Sequence, residues 1–187
     1  MLRHLPNLLT GLRIFAAPFA AWWIWTGHDT RALIVFILAG LSDAADGFLA
    51  KRYGLQTPFG AWLDPAADKL LMFVCFVALT WGPPPQNVSP IWVALLVIGR
   101  DIAIVLGVTI AWLFHLPLQV RALPVGKANT VVQVVYIAIL LVMMAFDIVM
   151  PQVVFVAAAI TAGFTLASWF AYARVFAGAL FAGHKLA

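Results

Sequence analysis

The chain has 187 residues, of which 65% are hydrophobic and only 10% are charged. Soluble proteins carry about 25% charged residues, so a water-soluble domain of this size could not bury so much apolar surface. The formal net charge of +4 fits basic helix ends facing anionic lipid head groups. No basic segment interleaved with aromatic residues suggests a nucleic-acid surface. We therefore expect a polytopic membrane protein that binds no nucleic acid.

Long apolar stretches predict six transmembrane helices in one all-α domain. Each stretch is close to the roughly 20 residues that are needed to cross the hydrocarbon core of a bilayer. The connections are short, so we expect a single transmembrane catalytic domain over residues 1–187. The predicted spans cover residues 8–27, 32–51, 60–82, 90–114, 128–149 and 152–180.

Basic residues are concentrated in alternate connections between these spans. Lys51 and Arg52 lie between the second and third spans, and Arg121 and Lys127 lie between the fourth and fifth. The opposite set of connections holds only Arg31. The positive-inside rule therefore predicts that both termini are cytoplasmic, and we expect a bacterial inner membrane.

All seven acidic residues are aspartates, and four of them lie near the predicted cytoplasmic ends of the second and third spans. Asp43 and Asp46 are spaced i, i+3, and Asp64 and Asp68 are spaced i, i+4, so each pair shares a helix face. A carboxylate within the membrane costs on the order of 3 kcal/mol, so these groups need positive partners. Four carboxylates suit a hard divalent cation, Mg²⁺ or Mn²⁺. The spacing therefore predicts a metal site at the cytoplasmic face.

Two other interpretations of the aspartates stay open at this point. The carboxylates could form salt bridges that only support packing, or they could line a proton or cation pathway in a small transporter. Their position at one membrane face favours a binding site over a relay across the bilayer. Gly47 and Gly60, close to the aspartates, leave room for a ligand or a neighbouring backbone.

The stretch from Asp43 to Asp68 resembles the signature of the CDP-alcohol phosphatidyltransferases. It reads Asp-x2-Asp-Gly-x2-Ala-Lys-x8-Gly-x3-Asp-x3-Asp, and every spacing agrees with the family pattern. The sequence departs from that pattern at Lys51, where the family has arginine. Lysine keeps the charge but loses the bidentate geometry, and Arg52 follows as a potential substitute.

The resemblance implies a fold, cofactors and site residues. It implies a six-helix bundle that commonly forms a homodimer, and a segment from Pro6 to Thr10, with Arg13, that resembles the family's entry into its first helix. Two divalent ions, Mg²⁺ or Mn²⁺, would be bound by Asp43, Asp46, Asp64 and Asp68. Asp68 would also be the general base. Contacts with the CDP-lipid would come from Asn7, Gly47, Lys51, Thr57 and Gly60.

The resemblance also implies transfer of a phosphatidyl group from CDP-diacylglycerol to a hydroxyl acceptor. Gly99–Asp101 and Gly126–Thr130 are similar to the cardiolipin synthase branch. Glycerol-3-phosphate users often carry a further arginine in the fourth span, but residues 102–114 contain no Lys or Arg. A free phosphate would need such a donor, so we expect phosphatidylglycerol as the acceptor, with cardiolipin and CMP as products.

Glycerol-3-phosphate as acceptor, giving phosphatidylglycerophosphate, is the alternative. Candidate acceptor contacts are Arg100, Arg121, Lys127 and Asn129, and Arg174 is also available. For Arg100 and Asp101, a simple ion pair within the membrane explains the two residues as well as a contact with the acceptor does.

Overall fold

The computed structural model describes residues 5–53, 58–85, 88–114 and 123–183, and side chains within 10–42, 66–85, 88–114 and 123–178. The described residues form helices only, as expected for an all-α protein. In chain order these are α1 Leu5–Trp25, α2 Asp29–Tyr53, α3 Pro58–Trp81, α4 Ile91–Leu113, α5 Pro124–Ala145 and α6 Pro151–Gly183.

Three of the described helices are long and apolar enough to cross a membrane. These are α4, α5 and the Pro151–Gly178 part of α6. The remaining predicted spans overlap α1, α2 and α3, and α2 carries both acidic and basic residues. A membrane location is thus supported, and passage of all six helices through the bilayer stays a prediction.

The chain divides into two compact units. Unit 1 contains Met1–Ser89 and Ile137–Val154, and unit 2 contains Pro90–Tyr136 and Phe155–Ala187. In unit 1, α1 packs against both α2 and α3. The buried face of α1 includes Ala17, Ala20 and Ile24, each spaced by three or four residues. Small residues at such positions let helices in a membrane approach closely.

In unit 2, α4 and α6 approach closely at Gly107. A Cβ atom added to Gly107 would lie 2.6 Å from the ring atom Cζ of Phe176. Only glycine therefore fits this position without moving the aromatic ring.

The turn between α1 and α2 places Asp29 where its charged form is disfavoured. Gly27 adopts φ 72°, and the carbonyl of His28 accepts N–H bonds from Arg31 and Ala32. Asp29 then opens α2, and its Oδ1 atom is buried without a hydrogen-bond partner among the residues that the structure describes. Burial raises the pKa of Asp29, the negative charge of Asp147 raises it further, and His28 lowers it.

We predict that Asp29→Asn increases thermal stability at neutral pH. When the pKa of a carboxyl is raised in the folded state, its contribution to the stability of the fold is fully present only below its ordinary pKa of 3.8, where it is protonated. That contribution is lost as pH rises through the folded-state pKa. The Tm of the wild type in detergent should therefore fall, relative to that of the variant, from about pH 4 upward. Parallel pH profiles for the two proteins would show that this carboxyl does not carry the effect.

A second prediction concerns the contact between α4 and α6. Gly107→Ala should lower stability by about 1–3 kcal/mol, because the new methyl group overlaps the Phe176 ring. Gly178→Ala is the matched control, since a Cβ atom there would meet no atom within 4 Å. Thermal unfolding in detergent should show a lower Tm for the first variant only. Equal Tm values would mean that the ring moves aside without cost.

Candidate functional site

The four predicted metal ligands lie on two helices of unit 1. Asp43 and Asp46 are on α2, and Asp64 and Asp68 are on α3. The carboxylate of Asp68 is half-buried. The two helices share α1 as a packing partner, so the chain holds both acid-bearing helices in one compact unit.

For most of the predicted ligands the structure describes only the backbone. These are Asn7, Asp43, Asp46, Gly47, Lys51, Gly60 and Asp64, while Thr57 and Arg121 lie outside the described residues altogether. Among the side chains that the structure does describe, no group of three His, Cys, Asp or Glu residues could bind a metal ion. Convergence of the four aspartates therefore stays a prediction.

A buried cation lies on α1 of the same unit. Arg13 is only 1% exposed, and Thr10, one turn earlier, is fully buried. A charge removed from water must be compensated by opposite charge or hydrogen bonds. Lys51 and Arg52 are basic residues close to the aspartates in the sequence. The structure adds Arg13, on the helix that packs against both acid-bearing helices.

In unit 2, a network of polar contacts is centred on Arg100 of α4. Its guanidinium is buried, and both Nε and Nη2 donate to Ser168 Oγ on α6, at 3.1 and 2.8 Å. Nη1 donates to Asp101 Oδ1 at 2.6 Å. The ring of Tyr172 lies against the same group, with its centroid 5.3 Å from Cζ. All three nitrogens of Arg100 are thus engaged.

This geometry confirms the ion pair between Arg100 and Asp101. It also shows that the guanidinium joins α4 to α6 through hydrogen bonds and a cation–π contact. Gly126, in the first turn of α5, completes the arrangement: a Cβ atom there would lie 2.9 Å from the Tyr172 hydroxyl and 3.2 Å from Arg100 Nη2. Contact between Arg100 and an acceptor substrate stays a prediction.

Asn129 is fully buried between α5 and α6. Its Oδ1 accepts a hydrogen bond from Thr165 at 3.0 Å, while its Nδ2 has no partner among the described residues. Gln133, one turn further along α5, is also buried, and its Nε2 likewise has no partner in the described part of the chain. Two buried amide donors one turn apart therefore remain available to an oxygen acceptor.

The two remaining candidate cations of unit 2 differ from Arg100 in exposure. Lys127 in the first turn of α5 is exposed, and so is Arg174 on α6. Neither forms an ion pair with any residue that the structure describes. Both are therefore exposed cations that an anionic group could reach.

The polar residues of α6 were not predicted from the sequence. Thr161, Thr165 and Ser168 are buried, and Tyr172 follows one turn later. Their spacing of three or four residues in an otherwise apolar helix is a signal that could have been read, because it places them on one helix face. Their pairing with Arg100 and Asn129 could not be read, because it joins residues 68 and 36 positions apart.

Comparison with known proteins identifies the family of this chain. The sequence profile of the family described as CDP-alcohol phosphatidyltransferase matches residues 3–169. The cardiolipin synthase (CMP-forming) of Rattus norvegicus is 30% identical over 189 residues, covering 91% of this chain and 61% of the rat protein. That of Streptomyces coelicolor is 35% identical over 133 residues, covering 67% of this chain and 59% of the relative.

A relative that is named for a different activity is similar to this chain to about the same extent. The CDP-diacylglycerol–glycerol-3-phosphate 3-phosphatidyltransferase of Escherichia coli K12 is 33% identical over 146 residues, covering 74% of this chain and 76% of the relative. The chain spans about three fifths of the length of the rat and Streptomyces proteins.

The chain therefore belongs to the CDP-alcohol phosphatidyltransferase family. This is a family of transferase enzymes, and the relatives found here include both cardiolipin synthases and glycerol-3-phosphate transferases.

The Arg100 network yields a third prediction. Ser168→Ala should lower stability by about 1–3 kcal/mol, because it leaves two N–H groups of a buried guanidinium without their acceptor. Thr109→Val is the matched control, since that hydroxyl is exposed and bonds only within its own helix, to the carbonyl of Val105. Thermal unfolding of both variants in detergent measures the difference. A Ser168→Ala protein as stable as the wild type would mean that this hydrogen bonding does not hold α4 and α6 together.

Proposed function

We propose that this enzyme transfers a phosphatidyl group from CDP-diacylglycerol to phosphatidylglycerol, giving cardiolipin and CMP. The observation that carries the proposal is the spacing of the four aspartates on α2 and α3, in a chain that belongs to the CDP-alcohol phosphatidyltransferase family. The cardiolipin synthases of rat and Streptomyces coelicolor among its relatives support the choice of product.

Two divalent ions, Mg²⁺ or Mn²⁺, would be bound by Asp43, Asp46, Asp64 and Asp68. A set of carboxylate oxygens fits a hard divalent cation, and bound metal ions supply positive charge that offsets negative charge on a departing phosphate. Lys51 would contact the nucleotide phosphates from the end of α2. Asn7, Gly47, Thr57 and Gly60 would form the rest of the surface that binds the CDP-lipid.

Asp68 would act as the general base. Its carboxylate would take the proton of the acceptor hydroxyl, and the oxygen would form a bond to the phosphorus that carries diacylglycerol. The bond between that phosphorus and CMP would break, so CMP would leave with the bridging oxygen. Half-burial of Asp68 suits this role, because the carboxylate is partly shielded from water and still accessible to a substrate.

The contacts that already engage Arg100 favour a lipid acceptor over glycerol-3-phosphate. A free phosphate monoester on the acceptor would need strong donors. Asp101 already balances the charge of the guanidinium, and Ser168 and Tyr172 engage the rest of it. Asn129, Lys127 and Arg121 are the further candidate acceptor contacts, and Arg100 would mainly position α6. Glycerol-3-phosphate remains the second candidate, because the Escherichia coli relative bears that activity in its name.

We further propose six membrane spans, with both termini and the active site on the cytoplasmic side of a bacterial inner membrane. Alternation of basic residues between the connections supports this topology. The working form would be a homodimer, as the family resemblance implies. A small transporter is the candidate from another class, and family membership argues against it.

A fourth prediction tests the reaction itself. The purified protein should release CMP from CDP-diacylglycerol when Mg²⁺ or Mn²⁺ and phosphatidylglycerol are supplied, and it should lose that activity when the metal is chelated. Parallel reactions contain glycerol-3-phosphate or no acceptor. Release with glycerol-3-phosphate alone would replace the proposed acceptor with the second candidate. No release with any acceptor would contradict the proposed reaction.

The fifth prediction tests the general base. Asp68→Asn should lower the rate of CMP release by at least about a hundredfold, because the amide cannot accept the proton. Asp29→Asn is the matched control: it removes the same charge from the first residue of α2 and should leave the rate unchanged. A similar Tm for Asp68→Asn and the wild type would show that the loss is not caused by unfolding. Full activity of Asp68→Asn would assign the base to another group.

A further inference from the structure

An apolar groove lies between α5 and α6 within unit 2. Its volume is about 630 Å³, which is within the roughly 300–1,000 Å³ of ligand-binding pockets. None of the described residues that line it carries a charge. The lining residues on α5 are Pro124, Val125 and Ala128, and those on α6 are Ile160, Gly163, Phe164 and Ala167.

Small side chains leave open space in the groove. Nothing lies within 4 Å of the position that a Cβ atom of Gly163 would occupy. Ala128 and Ala167 add only methyl groups on the two sides. Both helices belong to the part of the chain that is apolar enough to cross a membrane, so the groove opens where hydrocarbon chains are the solvent.

Two exposed cations belong to the helices that form this groove. Arg174 follows Ala167 by seven residues, or two helical turns, so it lies on nearly the same side of α6 as the groove. The contact of Gly126 with Tyr172 shows that the first turn of α5 is level with this part of α6. Lys127 lies in that first turn, next to Ala128 of the groove wall.

We propose that the α5–α6 groove binds one acyl chain of an acidic phospholipid, whose phosphate is held by Lys127 and Arg174. An apolar groove between two helices that carry two exposed cations, neither of which forms an ion pair with a described residue, is complementary to a molecule with a hydrocarbon chain and a negative head group. Phosphatidylglycerol has a net negative charge and phosphatidylethanolamine of the same chain length does not. A site with two cations should therefore prefer phosphatidylglycerol. The inference rests on the proposed function in one respect: it takes the bound lipid to be the phosphatidylglycerol acceptor.

The test is lipid retention by the purified full chain, measured by native mass spectrometry. Phosphatidylglycerol and phosphatidylethanolamine with identical acyl chains are added in equal amounts. The wild type should retain phosphatidylglycerol preferentially. Gly163→Leu should abolish that retention, because the leucine side chain fills the groove. Lys127→Gln with Arg174→Gln should reduce the preference by roughly fivefold for each basic residue.

Two control variants separate the groove from the rest of the surface. Ala159→Leu adds the same kind of side chain to an exposed position of α6 that does not line the groove, and Arg31→Gln removes an exposed cation from α2. Both should bind phosphatidylglycerol as the wild type does. Equal retention of the two lipids by the wild type, or undiminished retention by Gly163→Leu, would overturn the proposal. So would conversion of a dimer to a monomer by Gly163→Leu, because a second copy would then occupy the groove.

Turnover distinguishes failure of this inference from failure of the proposed reaction. If the wild type releases CMP with phosphatidylglycerol and Gly163→Leu does so with an unchanged KM for that lipid, the groove is not the acceptor site and the reaction stands. If retention depends on the groove but no CMP is released with phosphatidylglycerol, the lipid site stands and the proposed acceptor is wrong.

Discussion

A charged side chain buried among apolar helices must be met by opposite charge or hydrogen bonds, and this requirement explains the polar organisation of unit 2. Arg100 is buried within an apolar helix, and Asp101, Ser168 and Tyr172 each satisfy part of its guanidinium. Removing an acceptor from such a group costs more than the hydrogen bond itself contributes. The position of α6 beside α4 is therefore fixed by polar contacts as well as by apolar packing.

The same requirement applies to unit 1, where the charges have the opposite sign. Four aspartates on α2 and α3 bring negative charge into helices that pack against α1. Arg13 on α1 is a buried positive charge in that unit. Lys51, Arg52 and Lys69 add further positive charge close to these aspartates in the sequence. In the proposed function, divalent cations bound by the four carboxylates would meet the rest of their negative charge.

Local spacing was sufficient to predict the helices and the two pairs of aspartates. Asp43 and Asp46 fall on α2, and Asp64 and Asp68 fall on α3, because helical periodicity depends only on neighbouring residues. The ion pair between Arg100 and Asp101 was likewise open to prediction, since the two residues are adjacent. Ser168 and Thr165 could not be assigned as partners, because their contacts depend on how α6 is aligned with α4 and α5.

The length of α6 has a consequence for the bilayer around the enzyme. Its 33 residues extend for about 50 Å at a rise of roughly 1.5 Å per residue. The hydrocarbon core of a typical bilayer is only about 30 Å thick. An upright α6 would therefore project from the membrane, whereas a tilted one would keep more of its length in hydrocarbon. Bilayer thickness is thus a physical variable that acts directly on the helix bearing Ser168, Tyr172 and Arg174.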